Sequence, residues 1–542
     1  TIANGASMEL YANSSVLVSD GFGIYNHGDL IISGGTAGSV LISDANQQWA
    51  GITSYRDGSL ICDGAVIEGT ATGLQIRGAS VVNNSEIRNC YQGISIDTRT
   101  AFLLEGNTIR LNSYGIIVSN NYVTSELGYI QSNEISQNGI GMLLYNSNTK
   151  LALNDIHNNA RAGLYLVRGS EPIIKECNIS FTESTGLPRP EIMLESESYP
   201  IIDDSHNDVN ADGIGYAMFY DHLGKIQKLA ARNNYWGSTN PISIRQLIYP
   251  LDWLVEFEPY SMEPNTSFLY LNDTVFNQAL AAEDRGELSL AKQLFTSVVA
   301  TEPDSLYALQ SLGRLNSIYC GTPGLLSELR AIYNTYTASC SDSILVKSSQ
   351  IKSIMLDRFA GIYLDAVQGY EDQLQISTTD IDSLLCLLDI AYTLQEMYYD
   401  DQGKGVHSEA AYQANGLHVS SLKEARQAVD QLWERILNRP ENTSLLELPV
   451  PGRLEITNYP NPFNPTTTIA FSLPKAGKVR VAVYNLKGQK VKDLINSELP
   501  RGNHKLVWDG TDAHGRSVGS GIYLVRAQTS GRCVNHKIML LK

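Results

Sequence analysis

The sequence lacks any uninterrupted apolar run of about 18 residues, the length that a membrane-spanning helix needs. We therefore expect no transmembrane segment. Charge is also sparse, since 18% of the residues are charged and the 57 acidic residues outnumber the 40 basic ones. Binding to a nucleic-acid backbone depends on Lys and Arg that displace counterions. With a net charge of −17, we expect no nucleic-acid partner.

Cysteine is scarce and shows no pattern. Seven cysteines are scattered over 542 residues, with no C-x-x-C pair and no histidine at metal-ligand spacing, so no zinc site is predicted. Residues 1–5 also lack the basic and apolar segments of a signal peptide. A protein that is exported needs such a peptide. If this chain is exported, we expect that it begins after removal of the peptide or is a fragment.

What the sequence does contain is a repeat in its first half. An isoleucine that follows a polar residue recurs in steps of 22, 26, 21 and 23 residues, at Ile87, Ile109, Ile135, Ile156 and Ile179. A second short apolar stretch follows the first four of them, beginning at Gly93, Gly115, Gly141 and Gly163. Two short strands per period, with Gly or Asn at the corners, are typical of a strand solenoid. The repeat predicts a parallel β-helix whose coils stack about 4.8 Å apart and carry asparagine ladders.

The end of this region carries a family resemblance. Residues 232–237 read Arg-Asn-Asn-Tyr-Trp-Gly, and Phe257-Glu258-Pro259 follows. This pattern resembles the closing coil of right-handed parallel β-helix proteins of the pectate-lyase-like superfamily. The resemblance implies that residues 1–262 form one right-handed solenoid and that Trp236 helps to cap its apolar end.

That superfamily includes polysaccharide lyases and hydrolases, whose catalytic groups lie on the outer face of neighbouring coils. With each repeat isoleucine pointing inward, its two sequence neighbours point outward. Glu134, Asp155 and His157 are then predicted to lie on adjacent coils, and a close pair of carboxylates can serve glycoside chemistry. The alternative is that these three residues belong to the mixed charge of a solvated sheet face.

Four aspartates lie close together further along the chain, at Asp203, Asp204, Asp208 and Asp212. Calcium prefers several oxygen ligands, so a Ca²⁺ site is one interpretation. No other cofactor is expected. The stretch lacks the loop spacing of an EF-hand. The other interpretation is a solvated coil corner and its loop, which needs no metal.

From about residue 271 to residue 440 the apolar spacing becomes helical. Gly286, Ala291, Phe295, Val298 and Pro303 resemble the second half of a tetratricopeptide repeat, in which small and aromatic residues pack paired helices. The resemblance implies an α-helical tetratricopeptide-like domain over residues 271–440. Such a domain would either bind a protein in a groove or act as a spacer, and the sequence leaves both open.

The final region, residues 454–542, contains a Pro-rich entry followed by alternating strands. The entry is Tyr459-Pro460-Asn461-Pro462, in which the prolines exclude a helix. Further motifs contain Trp508, Gly521 and Tyr523, and turn signals separate the strands as in a small β-sandwich.

These residues resemble the C-terminal sorting domain of type IX secretion substrates and the Ig-like domain of flagellar hook-capping proteins. The resemblance covers nearly 90 residues and implies a multidomain protein that ends in an Ig-like β-sandwich. It further implies recognition by the type IX secretion translocon and attachment at the cell surface of a Gram-negative bacterium.

Three functions fit these features. The first is a non-enzymatic surface protein whose β-helix binds carbohydrate or a protein partner. In that case tyrosines such as Tyr145 and Tyr165 either stack on sugar rings or fill the edges of the solenoid. The second is a polysaccharide lyase or glycoside hydrolase that uses the outward acidic residues. The third is an architectural spacer or adhesin without affinity for glycans.

Overall fold

The computed structural model describes the chain in two compact units, Thr1–Ile436 and Leu437–Lys542. The residues that it describes are 1–542 except 4, 12–14, 18–22, 35–39, 44–48, 98–100, 123–127, 181–189, 196, 203–204, 211–215, 222–228, 237–243, 245–246, 250–254, 258–273, 321–325, 378, 405–411, 438–454, 460–464, 466, 474–476, 486–488, 500–501, 530–532 and 541–542. The division into three domains, over residues 1–262, 271–440 and 454–542, stays a prediction.

The first unit begins with a parallel β-helix built from three sheets. Sheet 1 contains Ser7–Tyr11, Asp29–Ser33, Ser59–Asp63, Ser80–Asn83, Phe102–Glu105, Tyr129–Gln131, Lys150–Ala152 and Ile173–Lys175. Sheet 2 contains Ser15–Leu17, Val40–Ser43, Ala65–Glu68, Glu86–Arg88, Thr108–Arg110, Glu134–Ser136, Asp155–His157, Asn178–Ser180 and Asp208–Asn210. Sheet 3 contains Gly23–Asn26, Gly51–Ser54, Thr72–Ile76, Gln92–Asp97, Tyr114–Ser119, Ile140–Tyr145, Ala162–Val167, Pro190–Glu195, Tyr216–Asp221 and Ile248–Tyr249. Leu229–Ala230 pairs with Val255–Glu256 in a separate parallel pair.

The repeat isoleucines fix the register of the β-helix. Ile87, Ile109, Ile135, Ile156 and Ile179 are directly paired from coil to coil in sheet 2, and each is fully buried. Side chains on alternate residues of a strand point to opposite faces, so their neighbours point outward. The predicted β-helix is confirmed. Trp236 is fully buried near its C-terminal end.

Two asparagine ladders connect the corners of successive coils. In one, the backbone N–H of Asn107 donates to Oδ1 of Asn133 over 3.0 Å, and that of Asn133 donates to Oδ1 of Asn154 over 3.1 Å. In the other, Asn112 and Asn138 donate in the same way to the next corner asparagine. The ladders give buried corner amides the acceptors that they need.

Eight helices follow in the described part of the chain. They are α1 (Val275–Asp284), α2 (Leu288–Thr301), α3 (Leu306–Cys320), α4 (Leu326–Ser339), α5 (Ser343–Phe359), α6 (Tyr363–Ile376), α7 (Asp380–Lys404) and α8 (Leu422–Leu437). A hairpin of Tyr412–Ala414 and Leu417–Val419 lies between α7 and α8. Among the described residues, no helix has both the length and the apolar character that crossing a bilayer requires.

The first two helices are joined by a tight turn. Gly286 adopts φ = +73°, a conformation that favours glycine, and Ala291, Phe295 and Val298 are buried in the adjoining α2. Helices α1 and α2 therefore form an antiparallel pair at the predicted place. Membership of the tetratricopeptide class stays a prediction.

Helix α7 lies along the stacking direction of the β-helix on the outer side of sheet 3. Asp97, Ser119 and Tyr145 occupy paired positions on three successive coils. Asp97 accepts a hydrogen bond from Gln395 over 2.7 Å, and Ser119 accepts one from Tyr392 over 3.0 Å. The Tyr145 hydroxyl donates to Asp389 over 2.6 Å. Three residues of an α-helix rise about 4.5 Å, which nearly equals the spacing of about 4.8 Å between coils. Polar side chains at a three-residue spacing on α7 thus match the coils one to one.

The second unit consists of two antiparallel sheets. One contains Glu455–Tyr459, Thr467–Leu473 and Gly502–Trp508, and the other contains Lys490–Leu499, Gly477–Asn485, Gly521–Gln528 and Cys533–Leu540. Alternate residues of Gly477–Asn485, among them Val479, Val481 and Val483, are fully buried in the core. This arrangement confirms the predicted Ig-like fold with antiparallel sheets.

Candidate binding surfaces

The outer face of sheet 2 carries a ladder of ion pairs. Nε of Arg88 lies 2.7 Å from Oε2 of Glu68 on the preceding coil, and its Nη1 lies 3.0 Å from Glu86. Nη2 of Arg110, on the next coil, lies 2.6 Å from the same Glu86 carboxylate. All four side chains are partly exposed, so each pair contributes little to stability. The ladder instead places charged groups at regular intervals on a rigid sheet.

The three candidate catalytic residues lie further along the same face. Glu134 and Asp155 are directly paired between coils, and Nε2 of His157 lies 3.7 Å from Oε1 of Glu134 and 3.8 Å from Oδ2 of Asp155. The structure therefore brings together the residues that the spacing predicted. The carboxylate side chains are 49% and 52% exposed, so solvent screens them. Ser136 donates to Glu134 and Asn178 donates to Asp155, which holds the two carboxylates in place.

Of the four candidate calcium ligands, Asp203, Asp204 and Asp212 lie outside the described residues. Asp208 is partly buried in sheet 2, and its Oδ1 has no hydrogen-bond partner within the described part of the chain. Burial raises the pKa of the Asp208 carboxyl to about 6. No group of three His, Cys, Asp or Glu side chains arranged for a metal occurs in the parts of the chain that the structure describes. Calcium stays a prediction at this place.

The raised pKa of Asp208 predicts a dependence of stability on pH. An aspartate in an unfolded chain titrates near 3.9, so between pH 4 and pH 6 the folded chain binds the proton more tightly than the unfolded chain. Stability is therefore gained as the pH falls through this window and lost as it rises. We expect Asp208→Asn to stabilise the first unit at pH 7 by about 1 kcal/mol, because solvent screens part of the effect. Thermal unfolding of both proteins from pH 4 to pH 7 measures this. Equal pH profiles would contradict the prediction.

A buried polar layer joins sheet 3 to the helices. The Arg168 guanidinium, 4% exposed, lies 2.7 Å from the carboxylate of Asp389 on α7, which is 1% exposed and also accepts from Tyr145. Nζ of Lys352 on α5 lies 3.2 Å from the buried Glu171. Burial, followed by the nearby Asp389 charge, raises the pKa of Tyr145 well above its ordinary value, so the phenol remains a proton donor. Tyr145 is fully buried, which rules out the suggestion that it stacks on sugar rings.

The pairing of these groups was missed by the sequence reasoning. Residues 168 and 389 are 221 positions apart, and no local pattern joins them. One signal was present in α7, where Asp389, Tyr392 and Gln395 place polar side chains at a three-residue spacing in a largely apolar stretch.

A cavity of about 130 Å³ lies between sheet 3 and the last two helices, and we call it the inter-layer cavity. Two successive coils contribute Gln75 and Gln92 to its wall, and the helices contribute Tyr392, Asp430 and Trp433. Because residues 72–97 and 392–433 meet only in the folded chain, this cavity could not be predicted from local patterns in the sequence.

In the second unit, two of the predicted sorting residues form part of the core. The Trp508 and Tyr523 rings lie 5.2 Å apart, edge to face, and the Trp508 indole N–H donates to the carbonyl of Thr511. Gly521 begins the strand that carries Tyr523, and Tyr459 ends the strand that pairs with Thr467–Leu473. The predicted sorting residues Pro460, Asn461 and Pro462 lie outside the described residues.

The fold and these surfaces define a parallel β-helix with a helical layer, followed by an Ig-like unit. In agreement, residues 72–188 match the family described as right handed beta helix region, and residues 460–532 match the FlgD Ig-like domain. No curated protein matches the chain.

A solved structure that resembles part of the chain is that of PorZ, described as an essential bacterial surface component of the type-IX secretion system of Porphyromonas gingivalis. The two are 20% identical over 18% of this chain and 12% of that one, with a TM-score of 0.13. The chain thus matches only about an eighth of that protein.

Proposed function

We propose that this chain is a secreted protein, held at the surface of a Gram-negative bacterium, that binds carbohydrate or a protein partner without catalysing a reaction. The observation that carries the proposal is the outer face of sheet 2. There, charged side chains repeat from coil to coil on a rigid backbone and remain partly exposed. A preorganised row of donors and acceptors recognises an extended polar partner at a small entropic cost.

Export is the second part of the proposal. Residues 454–542 act as the sorting domain that the type IX secretion translocon recognises. Support comes from the two antiparallel sheets, from the similarity of residues 460–532 to the FlgD Ig-like domain, and from the sorting motifs in the sequence. Nothing in this role requires catalytic groups.

The setting of the Glu134 and Asp155 carboxylates supports a role without catalysis. Both carboxylates are about half exposed. A catalytic carboxylate gains most of its effect where water is excluded, because charges interact more strongly there. An open sheet face does not provide that setting, whereas it is suited to binding.

The second candidate function is a polysaccharide lyase or glycoside hydrolase. One observation favours it, namely that the His157 imidazole lies between two carboxylates on adjacent coils. A base and an acid within about 4 Å of each other are elements of general acid–base catalysis.

Incubating the full chain with plant, algal and bacterial polysaccharides distinguishes these functions. We expect retention on one or more immobilised polysaccharides, with neither new reducing ends nor unsaturated products. Turnover that Glu134→Gln or Asp155→Asn abolishes would overturn the non-catalytic proposal, and Glu105→Gln on sheet 1 is the matched control. A chain that binds no glycan and no surface protein would instead support the architectural function.

Export is tested separately in a host that has a type IX system. In each variant a signal peptide is fused before residue 1. The full chain is expected at the cell surface, where added protease digests it. A chain that ends at residue 453 is expected to stay in the periplasm. Surface exposure of the shortened chain would overturn the sorting role.

A further inference from the structure

The inter-layer cavity has walls of balanced charge. Arg77 and Arg426 contribute two positive charges, and Asp97 and Asp430 contribute two negative ones, so the formal charge of the lining is zero. A phosphate group or a metal cation gains most from a lining of one sign. This lining therefore favours a neutral polar ligand over either of them.

Most of the remaining lining can both donate and accept hydrogen bonds. Gln75, Gln92 and Gln395 supply carboxamides, while Thr72 and Ser95 supply hydroxyls. A carboxamide offers two donors and one acceptor oxygen, and a hydroxyl offers one donor and two lone pairs. Vicinal hydroxyls of a sugar also donate and accept at once, so this set of side chains matches them. Gln75, Gln92 and Ser95 are partly exposed, which opens the cavity to solvent.

The aromatic wall is held rigidly. The Trp433 indole N–H donates to the Tyr392 hydroxyl over 2.9 Å, and that hydroxyl bonds Ser119 over 3.0 Å. The Arg358 guanidinium lies 5.6 Å from the centre of the Tyr392 ring. Both aromatic side chains are buried, so they fix the shape of the wall before a ligand binds and offer little surface for stacking.

Arg426 completes the site. Its guanidinium lies 5.9 Å from the centre of the Tyr55 ring. Its Nε and Nη2 are buried and have no hydrogen-bond partner in the described part of the chain. Such groups are rare in folded proteins, since an unpaired buried donor costs free energy. Because these two nitrogen atoms are buried, a ligand would reach them only if the Arg426 side chain moved.

From the balanced charge and the paired donors and acceptors, we propose that the inter-layer cavity binds one neutral sugar residue of a glycan. A volume of about 130 Å³ equals that of about four water molecules at ~30 Å³ each, so the cavity would take in part of the sugar residue and the rest would lie at its opening to solvent. The proposal rests on the proposed binding function and deepens it by naming a ligand class and a second site. This site lies at the junction of the β-helix and the helices, and the outer face of sheet 2 remains the surface that binds the extended partner.

Calorimetric titration of the full chain tests the proposal. The probes are the methyl glycosides of glucose, galactose, mannose and N-acetylglucosamine, with glucuronate and inorganic phosphate for comparison. We expect one neutral glycoside to bind with a stoichiometry of one. Gln92→Ala is expected to weaken that binding about tenfold, as the loss of one or two ligand hydrogen bonds implies. Glu105→Gln, on sheet 1, is the matched control and is expected to bind as the unaltered chain does.

Thermal unfolding serves as a second readout. The glycoside is expected to raise the melting temperature of the unaltered chain and of Glu105→Gln, and to raise that of Gln92→Ala less at the same concentration. Glycan binding that Gln92→Ala leaves intact and Glu134→Gln removes would overturn the cavity assignment while upholding the proposed function. Saturation of the cavity by phosphate or glucuronate alone would overturn the ligand class. Silence toward every glycoside and every polysaccharide would overturn the cavity proposal and carbohydrate binding together.

Discussion

Replacing Arg314 with methionine is expected to lower the free energy of unfolding of the first unit by about 3–5 kcal/mol. Arg314 on α3 and Glu283 on α1 form an ion pair in which each side chain is only 1% exposed. The substitution leaves the Glu283 carboxylate buried without a counter-charge. It also removes the bond from Nη1 of Arg314 to the carbonyl of Asn148 in the β-helix. Urea unfolding followed by circular dichroism measures the loss.

The double variant Arg314→Met/Glu283→Leu separates charge from packing. It is expected to recover much of the stability, because apolar residues of similar volume often replace a buried ion pair at little cost. The exposed pair of Arg285 and Glu287 provides the matched control, and Arg285→Met should leave stability nearly unchanged. A double variant as unstable as Arg314→Met would show that the unpaired Glu283 charge does not explain the instability of Arg314→Met.

Asp389→Ala should destabilise the first unit by a comparable amount, about 3–5 kcal/mol. Asp389 accepts two hydrogen bonds from the Arg168 guanidinium, over 2.9 and 2.7 Å, and one from Tyr145. Alanine leaves both donors buried without their acceptor. Since all three bonds join α7 to the β-helix, amide exchange along α7 should become faster. Hydrogen exchange detected by mass spectrometry reports this local effect, and thermal unfolding reports the global one.

Asp365→Ala is the matched control, because Asp365 is an exposed aspartate in the first turn of α6. Its removal is expected to change neither α7 exchange nor stability appreciably. Asp389→Asn, which keeps acceptor oxygen but loses the charge, should lie between the unaltered chain and Asp389→Ala. Unchanged exchange along α7 in Asp389→Ala would show that this bond cluster does not hold the helix on the sheet.

The β-helix could be predicted because its information is local and repeated. Each coil contributes an inward isoleucine such as Ile109 or Ile135, and the outward neighbours follow from the strand period of two. For the same reason the meeting of Glu134, Asp155 and His157 could be predicted from spacing alone. The alternating strands and marked turns of the second unit likewise predicted a small β-sandwich, and the family resemblance implied its Ig-like class.

The helical layer and the inter-layer cavity could not be predicted in this way. Helical spacing identifies an apolar face but does not say which surface it covers. Tyr145 shows the difficulty, because in the sequence it is one more tyrosine of the solenoid, and its acceptor Asp389 lies 244 residues away. Gln92 and Trp433 likewise share a cavity only because α8 packs beside sheet 3. Contacts between residues so far apart in the chain produce no repeating pattern in the sequence.

The match between α7 and the coils bears on how the β-helix opens. In a solenoid each coil contacts only its neighbours, so unravelling can begin at either end and proceed one coil at a time. Helix α7 bonds three successive coils through Asp97, Ser119 and Tyr145, and none of them can leave the stack without breaking its bond to the helix. The helix makes the loss of these coils a concerted event. Without the helix, the stack would open coil by coil from its ends. With the helix bound to three coils, we expect this middle section to open in a nearly all-or-none step.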